Sequence, residues 1–268
     1  MRWDFGLGQR RNIIPLAVGL LLLAGLLIWC ILGRPGRDID ETWARIQEEG
    51  RMRVGMDASW PPFEYIEGGE IVGFDVDLAR EIGRRLGVEV ELLNLGFDSL
   101  YDALQVGRID AIISALPYDS TLTEDVAYSI PYFNAGQVLV VRIDGTIREV
   151  KDLAGRRLGV EWGSEGDAQG RRLQRKVKGL TLRPYMTPEE ALRALKDGEV
   201  DAALVDAISA LQFTGREKGT RIVGKPLTDE RYVVAVRPKS WMLLKAINHA
   251  LAEMREDGTL DQLRRRWF

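Results

Sequence analysis

One cysteine, Cys30, and one histidine, His249, in 268 residues remove several chemistries at once. A disulfide framework needs paired cysteines, and a structural zinc site needs several Cys or His ligands. The Ser-His-Asp and Cys-His arrangements need a histidine beside a nucleophile, and His249 reads as a structural residue of a C-terminal helix. No excess of basic charge is present either: the formal net charge is −3, which gives no reason to expect nucleic acid as a partner. The glycines of GSEGDAQG (163–170) lack the lysine and spacing of a phosphate-binding loop. No metal, cofactor or catalytic residue is therefore expected, and the chain reads as a non-enzyme. What it does contain is apolar: 46% of residues are hydrophobic, with 7 Trp, 7 Tyr and 7 Phe, enough for a folded core in one or two domains.

The longest apolar run lies at the start. Residues 13–32, IIPLAVGLLLLAGLLIWCIL, carry no charge. A helix of that length covers about 30 Å, the thickness of a bilayer's hydrocarbon layer. Arg2, Arg10 and Arg11 precede it, so the N-terminus is expected inside and the remainder outside the cell membrane. Residues 1–36 are thus expected to be a transmembrane anchor or signal segment, with cleavage as the alternative because charged and apolar regions follow in signal-peptide order. GRPGRDID (33–40) reads as a linker.

Beyond Arg51 the pattern alternates. MRVGM (52–56), VEVELLN (88–94), DAIIS (110–114) and GQVLVVR (136–142) read as strands. Phe74, Leu78, Ile82 and Leu86 recur every four residues with arginines opposite, an amphipathic helix closed by Gly87. A further helix is expected from Asp98. The second half repeats the scheme: RRLGV (156–160), TLRPYMT (181–187), VDAALV (200–205) and RYVVAVR (231–237) are expected strands. Thr187, Pro188 and Glu190 form a helix start of the capping-box type. Strand–helix–strand order implies parallel α/β sheets, and two such halves imply a cleft between them.

The order of DASWPPFEY, GFDVDLAREIGRRLG, FDSLYDALQVGRIDAIIS, YSIPY with GQVLVV, KDLAGRRLGVEWGSEG and GEVDAALVD resembles the extracytoplasmic solute-binding proteins of family 3, the amino-acid-type receptors of ABC importers. The resemblance implies a two-lobed α/β periplasmic-binding-protein-like fold of type II. Lobe 1 is expected at 37–140 plus 232–268 and lobe 2 at 141–231, with hinge strands near Val138 to Arg142 and Tyr232 to Val236. By the same resemblance, Asp57 and Asp206 take a ligand's ammonium group, and Trp60 and Phe97 form aromatic walls. Ser164 offers a hydroxyl at a helix start, and Ser114 and Ala115 line the site. Partners implied are a small solute and the permease subunits of an importer, with the membrane reached through 13–32.

One departure governs the choice of ligand. The family's Ser-Gly-hydrophobic-Thr-x-Thr-x-x-Arg segment aligns with SALPYDSTL, placing its glycine on Ala115, a threonine on Pro117 and its carboxylate-clamping arginine on Leu122. A charged hydrogen bond to arginine contributes about 1.5–3 kcal/mol, so the usual grip on an α-carboxylate is missing unless Arg108, Arg142 or Arg183 replaces it. The acids Asp57, Glu161, Glu165 and Asp206, with Trp60, Phe97 and Trp162, suit an amine, a cation or a zwitterion instead. The expected function is solute binding for an ABC importer. The alternatives are a ligand-sensing module that signals through a membrane partner, or an enzyme resembling cyclohexadienyl dehydratase, with Glu161 or Glu165 as its acid.

Overall fold

In the computed structural model, which describes Met1 and residues 40–268, two five-stranded sheets organise the chain. In chain order the elements are α1 (Glu41–Glu49), β1 (Arg51–Met56), β2 (Ser59–Trp60), β3 (Glu64–Glu67), β4 (Glu70–Val72), α2 (Phe74–Leu86), β5 (Glu89–Asn94), α3 (Leu100–Gln105), β6 (Ala111–Ile112), β7 (Ala127–Tyr128), β8 (Phe133–Asn134) and β9 (Gln137–Arg142). They continue with β10 (Arg157–Glu161), α4 (Glu165–Gln174), β11 (Thr181–Tyr185), α5 (Pro188–Lys196), β12 (Ala202–Asp206), α6 (Ala207–Arg216), β13 (Thr220–Val223), β14 (Arg231–Tyr232), β15 (Ala235–Val236), α7 (Trp241–Glu256) and α8 (Thr259–Trp267). The first sheet runs β5-β1-β6-β15-β7 and the second β11-β10-β12-β9-β13. This is the expected two-lobed α/β architecture. The expected span 13–32 lies outside the described residues, and among those described no helix is long and apolar enough to cross a membrane.

Pairing follows the alternation. β1 is parallel to β5 and β6, and β10 is parallel to β11 and β12, because each pair is joined through a helix or long crossover. β9 and β15, which bring the chain from one sheet to the other, pair antiparallel with β12 and β6. Within RYVVAVR the expected single strand divides. Arg231–Tyr232 pairs with β8, and Ala235–Val236 pairs with β6 and β7. Those partners are only two residues long, so no one of them spans all seven residues of the run.

The two sheets repeat one electrostatic device. Arg53 on β1 reaches Asp110, just before β6, through its backbone N–H at 2.9 Å and its guanidinium at 2.8 and 3.2 Å. Arg157 on β10 reaches Asp201, just before β12, in the same way at 2.8, 3.1 and 3.2 Å. The Asp110 side chain is fully buried and also accepts from Arg45 of α1 at 2.5 Å. Asp201 is more open, and Arg157 holds its carboxyl below the usual carboxylate range.

Local signals account for the helices. Thr187 Oγ1 accepts from Glu190 N at 3.2 Å, while the Glu190 carboxylate reaches back to Met186 N at 2.9 Å, one residue beyond the usual capping-box partner. Ala191, Leu192, Ala194 and Leu195 then form the buried face of α5, each fully buried leucine contributing about 1.5–3 kcal/mol. The helix expected from Asp98 begins instead with a 3-10 turn, Phe97–Ser99, before α3. The C-terminal RRRWF caps the first lobe: Phe268 packs on Phe63, Phe74 and Phe133 at 5.4–5.8 Å, and Trp267 Nε1 donates to Asp77 at 2.8 Å.

Gly73 shapes what lies beneath the candidate site. Its φ is 138°, and a Cβ there would sit 2.1 Å from the Phe63 carbonyl oxygen. Only glycine lets the start of α2 approach the start of β3 this closely, and Asp75 N–H donates to the Phe63 carbonyl at 2.8 Å.

Candidate functional site

A cavity of about 340 Å³ opens beside the C-terminal end of β1. Asp57, Trp60, Phe97, Ser114 and Ala115, five of the residues expected at the site, line it together with Ser59, Glu64, Pro117, Glu230 and Tyr232. Trp60 and Phe97 are 55% and 41% exposed, so neither ring belongs to the core. The 3-10 turn presents the Phe97 ring, and Asp57 fixes the turn by accepting from Phe97 N–H at 2.9 Å.

The wall's own donors are mostly engaged inside the protein. Ser114 Oγ donates to Glu64 Oε1 at 2.8 Å and accepts from Asp57 N–H at 3.0 Å. Ala115 N–H donates to Asp75 Oδ2 at 2.5 Å. Tyr118 N–H goes to the Arg231 carbonyl, and Pro117 has no N–H. Ala115 sits at φ 41°, in the left-handed region, where the family segment places glycine; the bond to Asp75 helps hold that conformation.

Among the described residues, no Lys or Arg lines the cavity. Leu122, at the position of the family's arginine, packs with Leu93, Leu95, Tyr101 and Tyr128 against a buried cluster of the first lobe. Arg142 is committed to the Leu195 and Val200 carbonyls at 3.1 Å each. The missing grip inferred from the sequence has no replacement among the lining residues.

The four expected residues of the second lobe, Glu161, Ser164, Glu165 and Asp206, do not line this cavity. Ser164 is the N-cap of α4, accepting from Asp167 N–H at 3.2 Å and donating to the Glu161 carbonyl at 2.8 Å. Asp206 N-caps α6, accepting from Ser209 N–H at 2.8 Å through Oδ1. Trp162 is 64% exposed beside Glu161. These acids interact with one another and with the cavity's edge. Partial desolvation and then the charge of Asp206 push the Glu161 carboxyl above its ordinary range. Desolvation, then Glu165, with Asp206 adding to it, push Glu230 up as well.

Glu230 therefore joins the second-lobe acids to the first-lobe cavity. Sequence reasoning missed it, as it missed Glu64 and Ser59. Glu230 lies in no periodic element, and its only signal was its place just before the returning strand. Glu64 follows the aromatic-rich DASWPPF segment, where an alternating strand pattern made it resemble any surface acid.

The comparisons with known proteins agree with the two-lobed α/β fold. A family model described as bacterial extracellular solute-binding proteins, family 3, matches residues 52–268. The chain is 32% identical over 228 residues to the L-cystine-binding protein TcyJ of Escherichia coli (strain K12), covering 84% of this chain and 85% of that protein. It is 30% identical over 224 residues to ABC transporter arginine-binding protein 1 of the same organism, covering 81% and 90%. Among solved structures, an ancestral cyclohexadienyl dehydratase superposes with a TM-score of 0.74 at 25% identity, covering 83% of this chain and 94% of that one.

Proposed function

We propose, from the premise that this chain belongs to the bacterial extracellular solute-binding proteins of family 3, that it is the receptor of an ABC importer and takes up a small cationic or amine-bearing amino-acid-like solute. One observation carries the choice of ligand: the cavity wall is acidic and aromatic, without Lys or Arg among its described residues, and the Ser114 hydroxyl and the Phe97 and Ala115 N–H groups are already bonded to carboxylates of the protein. A carboxylate finds no cationic partner there. An ammonium or guanidinium finds Asp57 and Glu230, with the faces of Trp60 and Phe97 adding about 0.5–2 kcal/mol of cation–π attraction.

Glu161, Glu165 and Asp206 complete the cage when the second lobe closes, so the ligand stabilises closure by touching both lobes. The closed form then docks on the permease subunits. Residues 13–32 anchor the receptor at the outer face of the membrane, raising its local concentration there. The arginine-binding relative supports a cationic ligand, and the cystine-binding relative supports an amino acid with two amino groups.

Calorimetric titration with L-arginine, L-lysine, L-cystine and L-glutamate tests this reading. Binding of one of the first three and not of glutamate is expected; tight binding of glutamate alone would sink it. The affinity for a cation should also fall as the solution is made mildly acidic. Glu161 and Glu230 hold protons at higher pH than ordinary carboxyls, and a cation must displace them, so binding releases protons and strengthens as pH rises. A pH-independent affinity would remove these two acids from the site.

An enzymatic reading rests on the dehydratase neighbour and on Glu161, whose raised carboxyl suits a general acid. Turnover of prephenate or arogenate by the purified protein would establish it. The anionic character of those substrates runs against the acidic cavity.

A further inference from the structure

Two buried carboxyl groups, Glu64 in the cavity wall and Asp75 behind it, are held by the adjacent residues Ser114 and Ala115. Glu64, on β3, is 1% exposed, and Asp75, in the first turn of α2, is fully buried. Three of their contacts are ordinary: Ser114 Oγ donates to Glu64 Oε1, while Ala115 N–H and Tyr132 Oη donate to Asp75 Oδ2, the last at 2.8 Å. The remaining two oxygens, Glu64 Oε2 and Asp75 Oδ1, are buried and find no donor among the described residues. The two carboxyls act on each other electrostatically, and the residues that hold them, Ser114 and Ala115, are neighbours in the chain. Two buried carboxylates so placed would repel and leave an oxygen each without a donor; a proton on one of them supplies the missing donor.

We propose that Glu64 and Asp75 share one proton across Glu64 Oε2 and Asp75 Oδ1, and that this pair is the positioning device which makes the wall in front of it accept hydrogen bonds rather than donate them. The proton lets both buried acids coexist. One negative charge remains on the pair, and its free oxygens collect the donors that would otherwise point into the cavity. Ala115 N–H is drawn back to Asp75. The Ser114 hydroxyl turns its proton to Glu64 and leaves a lone pair for the ligand. Leu122 removes the usual carboxylate grip, and the carboxyl pair removes the substitutes for it. The inference rests on the cationic-ligand reading for its consequence, but the proton itself does not.

The surroundings favour a proton on Glu64. Burial, the negative charge of Asp75 and then that of Asp57 push its carboxyl far above the usual carboxylate range. Burial raises Asp75 as well, against the Ala115 and Tyr132 hydrogen bonds. Tyr132 beside the pair and Tyr232 at the cavity are themselves pushed upward by burial and by these acids, so neither supplies a charge at neutral pH.

Infrared spectroscopy of the full chain at neutral pH tests the proton without any ligand. A protonated-carboxyl C=O band that shifts in heavy water and disappears in Glu64→Gln is expected. Its absence from the wild type, or its persistence in Glu64→Gln, would overturn the proposal. The Gln amide reproduces the pattern, accepting from Ser114 and donating to Asp75, so this variant should fold. A folded Glu64 that keeps its proton far above the ordinary range binds more protons than the unfolded chain as pH rises. The urea midpoint of the wild type should therefore fall relative to that of Glu64→Gln between about pH 5 and about pH 9. A parallel pH dependence would overturn it.

The consequence is read by selectivity for L-arginine over L-glutamate. Glu64→Leu frees the Ser114 proton and should lower that ratio by about 10-fold or more, with Glu64→Gln recovering most of it. An unchanged ratio in Glu64→Leu would remove the pair's influence on the wall. Failure of the wild type to bind either amino acid defeats the ligand reading, while the infrared and pH results still decide the proton.

Discussion

Asp206→Asn is expected to bind L-arginine about 30-fold more weakly or worse while melting within a few degrees of the wild type. Asn is as good an N-cap as Asp, so the bond from Ser209 N–H that starts α6 survives and the helix is retained. What disappears is the charge. Removing one partner of a desolvated charge pair costs about 2–5 kcal/mol, largely because the other charge is left unpaired. Here the unpaired charge would be the ligand's, facing a half-lost acidic cage that includes Glu161 and Glu230, both of which interact with Asp206. Titration calorimetry and a thermal melt on the same sample separate the two effects. An undiminished affinity would reduce Asp206 to a helix cap. Asp206→Ala loses cap and charge together and so cannot make this distinction.

The second large effect is on stability. Asp110→Ala should lower the unfolding free energy by about 3–5 kcal/mol, the range for breaking a buried ion pair from one side. Asp110 is fully buried, and its carboxylate ties α1 to β1 through Arg45 and Arg53, with Arg237 at 4.0 Å beyond them. Its removal leaves Arg53 and Arg237 without their buried counter-charge and Arg45 with Glu49 alone. The matched change in the second lobe, Asp201→Ala, should cost far less, about 1 kcal/mol. Arg157 there is 42% exposed, and water screens what remains of the pair. Urea denaturation of the two variants in parallel checks the contrast. Equal losses would mean that burial is not what separates the two sites.

The extent to which the chain could be read in advance followed the range of the interactions involved. The α2 helix was legible because Phe74, Leu78, Ile82 and Leu86 all turn inward on one face, and the α5 start because Thr187, Pro188 and Glu190 act within one turn. The change of residue type at Leu122 was legible too, since it shows at an aligned position, and Leu122 packs against a buried apolar cluster of the first lobe. By contrast, nothing in RYVVAVR marks Tyr232 as the end of one pairing and Ala235 as the start of another, because the short strands that impose the break lie more than 90 residues earlier.

The sequence alone determined the alternation of strands and helices, the scarcity of Cys and His, and the loss of arginine from the ligand segment, since each is a property of neighbours or of counting. Only the tertiary structure decided that Glu64 and Asp75 are each buried with one oxygen lacking a donor, that Glu230 lies at the cavity's edge within reach of Glu165 and Asp206, and that Ala115 N–H is spent on Asp75. The physical reason is that a carboxyl's charge and a donor's freedom depend on what folding places within about 3 Å of them. Those partners come from separate stretches of the chain, whose spacing in sequence carries no trace of their contact.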